Sequence, residues 1–319
     1  ITTVCTISKK GLNLLPSLKE RIRFVYIRLA QMDSNSLNTQ GNIKTLEIGL
    51  IDACNLSCPM CSHTLKPSKE GYLPLDHWKT IINQYPAVTR VYLVSNRSEN
   101  TLYPHFLAFY TFLKAKGLSV TLSTNGLTHK PEWWKKLREV SDSTDQIRFA
   151  IDGIEQSTYE MYRVGGSLSK VLRNHTSFKG RGNDWLQYIY FEHNRHEDIS
   201  GLVSLFQGRV KTLTSSYAEG KYFDSATTQV KPRKEFIVKF KALDNLFKYK
   251  KDFHIKCVSE LNQEHFIDHK GRTYPCCFWA DERGSDTWDL KYSFKHHDFC
   301  KRVCDKFSTQ LREAWQVEL

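Results

Sequence analysis

The 319-residue chain contains no run of 18 uncharged apolar residues, so nothing in it reads as a membrane-spanning helix. It shows no internal repeat and no low-complexity tract, which sets aside stacked-repeat and fibrous architectures. Its first residues, Ile1-Thr2-Thr3, lack a basic-then-apolar signal pattern, and a cytoplasmic location is expected. The remainder is ordinary for a globular protein: 40% hydrophobic and 25% charged, too apolar for a disordered chain. At roughly 150 residues per domain, the length predicts one large domain, or one large and one small. An excess of 46 Lys and Arg over 34 Asp and Glu gives a net charge of +12, which implies a solvated basic surface able to attract an anionic partner.

Four segments differ in character. Residues 1–44 carry a helix signal, with Ser17 and Glu20 at capping-box spacing after Pro16 and Leu18, Ile22, Val25, Tyr26 and Leu29 on one stripe. Over 45–214, β-rich runs at 45–51, 88–94, 118–123, 146–151, 186–192 and 210–214 alternate with helical patterns near 75–85, 103–116, 131–140, 156–178 and 196–207. Repeated βα units predict a parallel sheet with right-handed crossovers. Six units are too few for a closed eight-stranded barrel, so the expected α/β fold is an open partial (β/α)6 barrel, with its chemistry at the C-terminal strand ends. Segment 215–256 is a basic linker or helix rich in lysine (Lys231, Lys234, Lys239, Lys241, Lys248, Lys250, Lys251). Residues 257–319 form a small cysteine-dense domain of the kind a metal holds together.

Leaving Cys5 over, eight of the nine cysteines cluster at 54, 58 and 61, and again at 257, 276, 277, 300 and 304, which points to metal ligation in a reducing compartment instead of disulfides. "CNLSCPMC" (54–61) follows the first strand and so lies on a rim loop. It offers three thiolates and no fourth. Structural zinc takes four ligands; His63 would complete a set, but at a spacing tight for zinc. A 4Fe-4S cluster on three thiolates leaves one iron free for a small molecule.

The Cx3Cx2C loop after the first strand of a βα series resembles the radical S-adenosylmethionine (radical SAM) superfamily, over about residues 45–214. The resemblance implies that Cys54, Cys58 and Cys61 hold a 4Fe-4S cluster whose open iron binds the amino and carboxylate groups of SAM. Its reduction cleaves SAM to methionine and a 5′-deoxyadenosyl radical that abstracts hydrogen from a C–H bond. "SNRSEN" (95–100) stands where the family has a glycine-rich stretch ending in Glu-Pro that cradles the SAM amino group. Glu99 remains, while Arg97, Ser98 and Asn100 replace Gly, Gly and Pro. "STNG" (123–126) matches an element near the ribose and carboxylate. "FAIDG" (149–153) and "YRVGG" (162–166) resemble the peptide- and sugar-modifying branch, and Met60 takes the usually aromatic position by the adenine. "FEHN" (191–194) puts His193 and Asn194 by the cavity. The cofactor contacts so implied come from Met60, Asn96, Ser98, Glu99, Ser123, Asn125, Asp152, Arg163 and His193.

In the C-terminal segment, "FIDHKGRTYPC" reads as strand, turn and strand, with Lys270-Gly271 at the turn, a hairpin that returns Cys276 toward Cys257. The pattern resembles the auxiliary-cluster domains called SPASM, and more closely the shortened twitch form. That implies a second 4Fe-4S cluster on Cys257, Cys276, Cys300 and Cys304, with Cys277 able to substitute for one of them or to serve as a hydrogen donor. On ligand count alone a zinc knuckle stands beside that reading. The leading expectation is therefore an enzyme acting on a small-molecule, carbohydrate (sugar or cyclitol) or peptide substrate, with flavodoxin or ferredoxin as reductant and no membrane partner. The alternatives are an RNA-modifying radical SAM enzyme, motivated by the positive charge, and a zinc-stabilised binding module without catalysis.

Overall fold

The computed structural model describes residues 41–59, 61–65, 71–94, 97–214 and 262–277, together with the single positions 230 and 259. The N-terminal helix expected from Ser17 and Glu20, and nearly all of the basic segment 215–256, lie outside the described residues. The chain runs β1 (Thr45–Ile48), α1 (Ser62–Leu65), α2 (Leu75–Asn83), β2 (Arg90–Leu93), a 3-10 turn (Asn100–Leu102) and α3 (Phe106–Ala115). It continues with β3 (Ser119–Thr124), α4 (Pro131–Val140), β4 (Gln146–Ala150), α5 (Gln156–Tyr162), α6 (Leu168–Phe178), β5 (Asp184–Tyr190), α7 (Ser200–Leu205) and β6 (Val210–Thr214). A hairpin, β7 (Glu264–Ile267) and β8 (Thr273–Tyr274), completes the described part.

The first six strands pair in parallel in chain order, with Thr45 opposite Arg90, Arg90 opposite Ser119, Thr121 opposite Gln146, Ile147 opposite Asp184 and Leu186 opposite Val210. This is the expected partial barrel: β6 and β8 are the two edges of the sheet and do not pair with each other. Alternate residues point to opposite faces of a strand. One face carries Leu46, Ile48, Val91, Leu93, Val120, Leu122, Ile147, Phe149 and Leu186, all buried. Phe149 meets Trp134, Phe178 and Phe206 there, so this is the face the helices cover. The opposite face carries Glu47, Tyr92, Thr121, Ser123, Arg148 and Gln187, in or next to register. The barrel interior is thus polar, not a plug of aliphatic side chains.

Local signals place the helices. Pro131 opens α4, where its missing N–H is no loss, and Ser167 caps α6 by accepting the Lys170 N–H at 3.3 Å. The single helix expected over 156–178 is two. Gly165 adopts φ +83°, a left-handed geometry that ends α5, and the Gly166 N–H closes on the Arg163 carbonyl at 2.7 Å. At the N-terminal strand ends, buried carboxylates pin the layers: Asp145 accepts from Tyr110, Lys114 and the Val120 N–H, each at 2.8 Å. Asp184 engages His175 and Arg209, also at 2.8 Å.

The hairpin forms as its sequence predicts, but its place is new. β7 runs parallel to β1, Thr45 opposite Glu264 through Ile48 opposite Ile267, and so extends the barrel sheet itself. β8 returns antiparallel, Phe266 opposite Tyr274, and leads on to Cys276 and Cys277.

Candidate functional site

The three-cysteine loop is fixed from three sides. Behind it, the Leu50 N–H donates to Asn100 Oδ1 at 2.8 Å and Asn100 Nδ2 donates to the Ile48 carbonyl at 3.3 Å, so the side chain standing in place of the family proline closes off the end of β1. The Glu99 N–H reaches the Ala53 carbonyl at 2.9 Å. From the α5–α6 break, the Val164 carbonyl accepts the Ser57 N–H at 3.2 Å. Within the loop, the Cys61 N–H turns back onto the Cys58 carbonyl at 3.1 Å.

Two polar chains run from the protein interior to the thiols. The first starts at Glu99, whose buried carboxylate accepts the Thr101 N–H (3.2 Å) and hydroxyl (2.6 Å), the Thr124 hydroxyl (2.9 Å) and the Asn125 N–H (2.7 Å). This fixes Asn125, whose Nδ2 donates to Asn55 Oδ1 at 2.8 Å and stands 3.9 Å from Cys54 Sγ. The second starts at Asp152, fully buried, which accepts the Ile189 N–H at 2.7 Å and the Arg163 Nε at 2.6 Å. Arg163 Nη1 in turn stands 3.9 Å from Cys58 Sγ. Burial pushes the Asp152 carboxyl up while Arg163 and the Ile189 N–H pull against it.

Cys54 and Cys58 are poor acids as they stand. Burial pushes Cys54 up to about 12, against the pull of the Leu56 N–H, and raises Cys58 against the opposing charge of Arg163. Among the described residues no three His, Cys, Asp or Glu converge as the ligands of one metal ion would. His63 turns its Nδ1 toward Asp52, 3.6 Å from Oδ1, and Arg97 Nε lies 3.8 Å from the same oxygen. An iron–sulfur cluster fits this donor set. Each thiolate binds a different iron, the positive irons offset the burial that opposes ionisation, and N–H donors toward sulfur are what bound thiolates accept. Ser98 Oγ is shut from solvent without a hydrogen bond, an unsatisfied group in the loop where the resemblance puts a bound amine.

The structure therefore brings Cys54, Cys58, Cys61, Glu99, Asn125, Asp152 and Arg163 into one frame. Glu99 faces inward and acts on the site through Asn125. Ser123 donates to Gln187 Oε1 at 3.0 Å on the barrel interior. His193 follows β5 and stacks on Phe191 at 5.2 Å, with burial lowering its basicity. Its neighbour Asn194 is tied to the Asp152 carbonyl at 3.2 Å. Cys276 and Cys277 are partly exposed and follow β8. Met60, Asn96, Cys257, Cys300 and Cys304 lie outside the described residues. Sequence reasoning missed Asn55, the Val164 carbonyl and the inward use of Glu99. The Gly165-Gly166 pair was the signal that a helix ended beside the cysteine loop.

Residues 48–206 match the family model described as Radical SAM superfamily. A tungsten-containing aldehyde ferredoxin oxidoreductase cofactor-modifying protein of Pyrococcus furiosus is 27% identical over 113 residues, 34% of this chain and 31% of that protein. An Fe-coproporphyrin III synthase of Methanosarcina barkeri is 26% identical over 121 residues, 38% of this chain and 30% of that protein. The matches thus span about a third of these relatives' length. In fold, the chain is similar to SuiB of Streptococcus suis bound to S-adenosylmethionine, with TM-score 0.55 and 12% identity over 89% of this chain and 71% of that one. It is also similar to anSMEcpe with bound AdoMet, with TM-score 0.55 and 15% identity over 82% and 87%.

Proposed function

Residues 48–206 are a radical SAM domain, and on that premise we propose that the chain is an enzyme that cleaves SAM reductively and removes a hydrogen atom from a C–H bond of a sugar, cyclitol or peptide substrate. The observation that carries the reading is the three-thiol rim loop with an amide and a guanidinium aimed at two of its sulfurs, Asn125 at Cys54 and Arg163 at Cys58. Cys54, Cys58 and Cys61 would hold a 4Fe-4S cluster and leave one iron for SAM. When bound, the pair supplies one-electron cleavage of a carbon–sulfur bond and so the abstracting power that no side chain has.

The chain's own residues contribute order and dryness. Glu99 and Asn125 fix Cys54 against Asn55, while Asp152 orients Arg163, which places a permanent positive charge by Cys58. Ser98, Ser123 and Arg163 offer polar groups for the amino acid part of SAM, and His193 stands at the end of β5 for substrate. Cys276, with Cys257, Cys300 and Cys304, would bind a second cluster, and a flavodoxin or ferredoxin would supply electrons. SuiB has also been solved with its precursor peptide SuiA, a precedent in this fold for the peptide arm of the substrate range. No helix among the described residues is long and apolar enough to cross a membrane.

The test is anaerobic reconstitution with iron and sulfide, reduction in the presence of SAM, and assay for 5′-deoxyadenosine. Wild type forms it, Cys58→Ala does not, and Cys276→Ala retains it, with circular dichroism confirming that both variants are folded. Zinc without iron or acid-labile sulfide in the isolated protein would overturn the reading in favour of a binding module.

A further inference from the structure

Among the described residues, the barrel interior holds a half-buried arginine that the site described above does not use. Arg148 lies at the middle of β4, opposite Ser123 on β3 and Trp185 on β5. Its neighbours in sequence, Ile147 and Phe149, face the helices, so Arg148 faces the interior. Its Nη2 donates to Gln146 Oε1 at 2.7 Å, which orients the guanidinium. Its Nε is shut from solvent and has no acceptor. Burial lowers its basicity, and only Tyr92 acts against that. Among the described residues, Arg163 is paired with Asp152, Arg209 with Asp184, Arg97 with Asp52 and Arg272 with Asp268. Arg148 has no carboxylate partner among them. On the same face, Glu47 is three ladders away on β1, roughly 14 Å along the sheet at about 4.8 Å per ladder.

A guanidinium partly withdrawn from water without a counter-charge is destabilising unless something anionic meets it. A protein retains such a group where a ligand supplies the missing charge. We propose that Arg148, oriented by Gln146 and flanked by Ser123, Gln187 and Tyr92, is an anion subsite of the barrel interior that receives a carboxylate of the substrate. This rests on the radical SAM reading for the identity of the ligand as substrate. A guanidinium fork with its Nε unengaged among the described residues matches a planar carboxylate, which it binds side-on through two N–H groups. The register gives the reach. Arg148 is level with Ser123, two residues before Asn125, so the anchored carboxylate lies about 7 Å along the strand from the residue that meets Cys54. A small carboxylate-bearing molecule a few bonds long spans that interval, with its reacting carbon at the rim.

The test is thermal unfolding of the full chain, purified without oxygen, in sodium acetate and in sodium chloride at equal ionic strength, with phosphate as a third arm. The comparison is with Arg148→Met. Wild type is expected to unfold at a higher temperature in acetate than in chloride, with a shift that grows with the logarithm of acetate concentration. Arg148→Met is expected to unfold in chloride at or above the wild-type temperature, because an unpaired half-buried charge has gone, and to show no specific acetate shift. Its response is also the baseline for general salt effects. Arg148→Gln repeats the comparison with a polar replacement beside Gln146. The proposal is overturned by equal acetate shifts in wild type and variants, by no shift in wild type, or by both variants being less stable than wild type in chloride, which would make Arg148 a structural brace. A larger shift in phosphate than in acetate overturns the carboxylate assignment. The measurement requires neither cluster nor SAM, so absence of 5′-deoxyadenosine from wild type would defeat the functional reading and leave the acetate result standing.

Discussion

Glu99→Gln is the sharpest probe of the frame behind the cysteine loop. The substitution keeps size and shape but replaces one carboxylate oxygen by NH2. Oε2 accepts the Asn125 N–H and Oε1 accepts the Thr101 N–H together with two hydroxyls. The hydroxyls can rotate to accept; the backbone N–H groups cannot. Whichever way the amide of Gln is turned, either Asn125 or Thr101 is left with a buried N–H facing another donor. Such an orphan costs about 1–3 kcal/mol, and the surviving bonds lose their charge assistance, so a total of about 2–3 kcal/mol is expected. At about 2–4 °C per kcal/mol for a body of this size, the unfolding midpoint falls by about 4–12 °C. Differential scanning calorimetry at neutral pH reads this directly. A midpoint within 1 °C or so of wild type would show that Glu99 is not the acceptor that holds Asn125, and the account of the Cys54 side of the site would go with it.

Arg163 should set the ease of reduction as well as the position of Cys58. A unit charge 3.9 Å from Cys58 Sγ is worth about 4 kcal/mol at an effective dielectric near 20 if the whole electron sat on that sulfur. Spread over the cluster and its ligands it is about 1 kcal/mol, or about 40 mV for a one-electron couple. Arg163→Gln should therefore lower the potential measured by spectroscopically monitored redox titration while Arg163→Lys largely keeps it; coincident potentials for the two variants would refute the electrostatic role. His265 on β7 has its pKa pulled down to about 4 by burial, so the unfolded chain takes a proton that the folded one refuses as pH falls from 6.5 toward 4. Stability is then present above pH 6.5 and drops by about 3 kcal/mol across that window. Urea titrations should show a flatter profile for His265→Gln; superimposable profiles would remove His265 as the cause. Gly126 has φ +71°, and a Cβ there would stand 2.7 Å from Val171 Cγ2 and 3.0 Å from Phe149 Cδ1. Gly126→Ala should cost at least about 1–3 kcal/mol in thermal unfolding, and a variant as stable as wild type would show that the turn relaxes freely.

Particular residues show where sequence reasoning reached and where it stopped. The strand runs at 90–93, 119–124 and 146–150 and the helix at 131–140 are set by local periodicity and by Pro131, and they form where the pattern puts them. The cysteine spacing placed 54, 58 and 61 on one loop after β1 because that is a property of adjacent residues. The break at Gly165-Gly166 was visible as two glycines inside an apolar period, but its use, freeing the Val164 carbonyl for Ser57, depends on a contact between residues more than 100 positions apart. Asn125 meets Asn55 across 70 positions and Arg163 meets Cys58 across 105, and no periodicity encodes either meeting.

By itself the sequence determined the order of βα units, the thiol set at the rim and the family it resembles, since spacing and period are one-dimensional quantities. Only the tertiary structure decided that β7 joins β1, that β8 returns antiparallel to it, that Glu99 turns inward and that Arg148 has no carboxylate partner among the described residues. Each of these depends on which side chains share a face across neighbouring strands. Register and burial fix that, and neither exists until the sheet has formed.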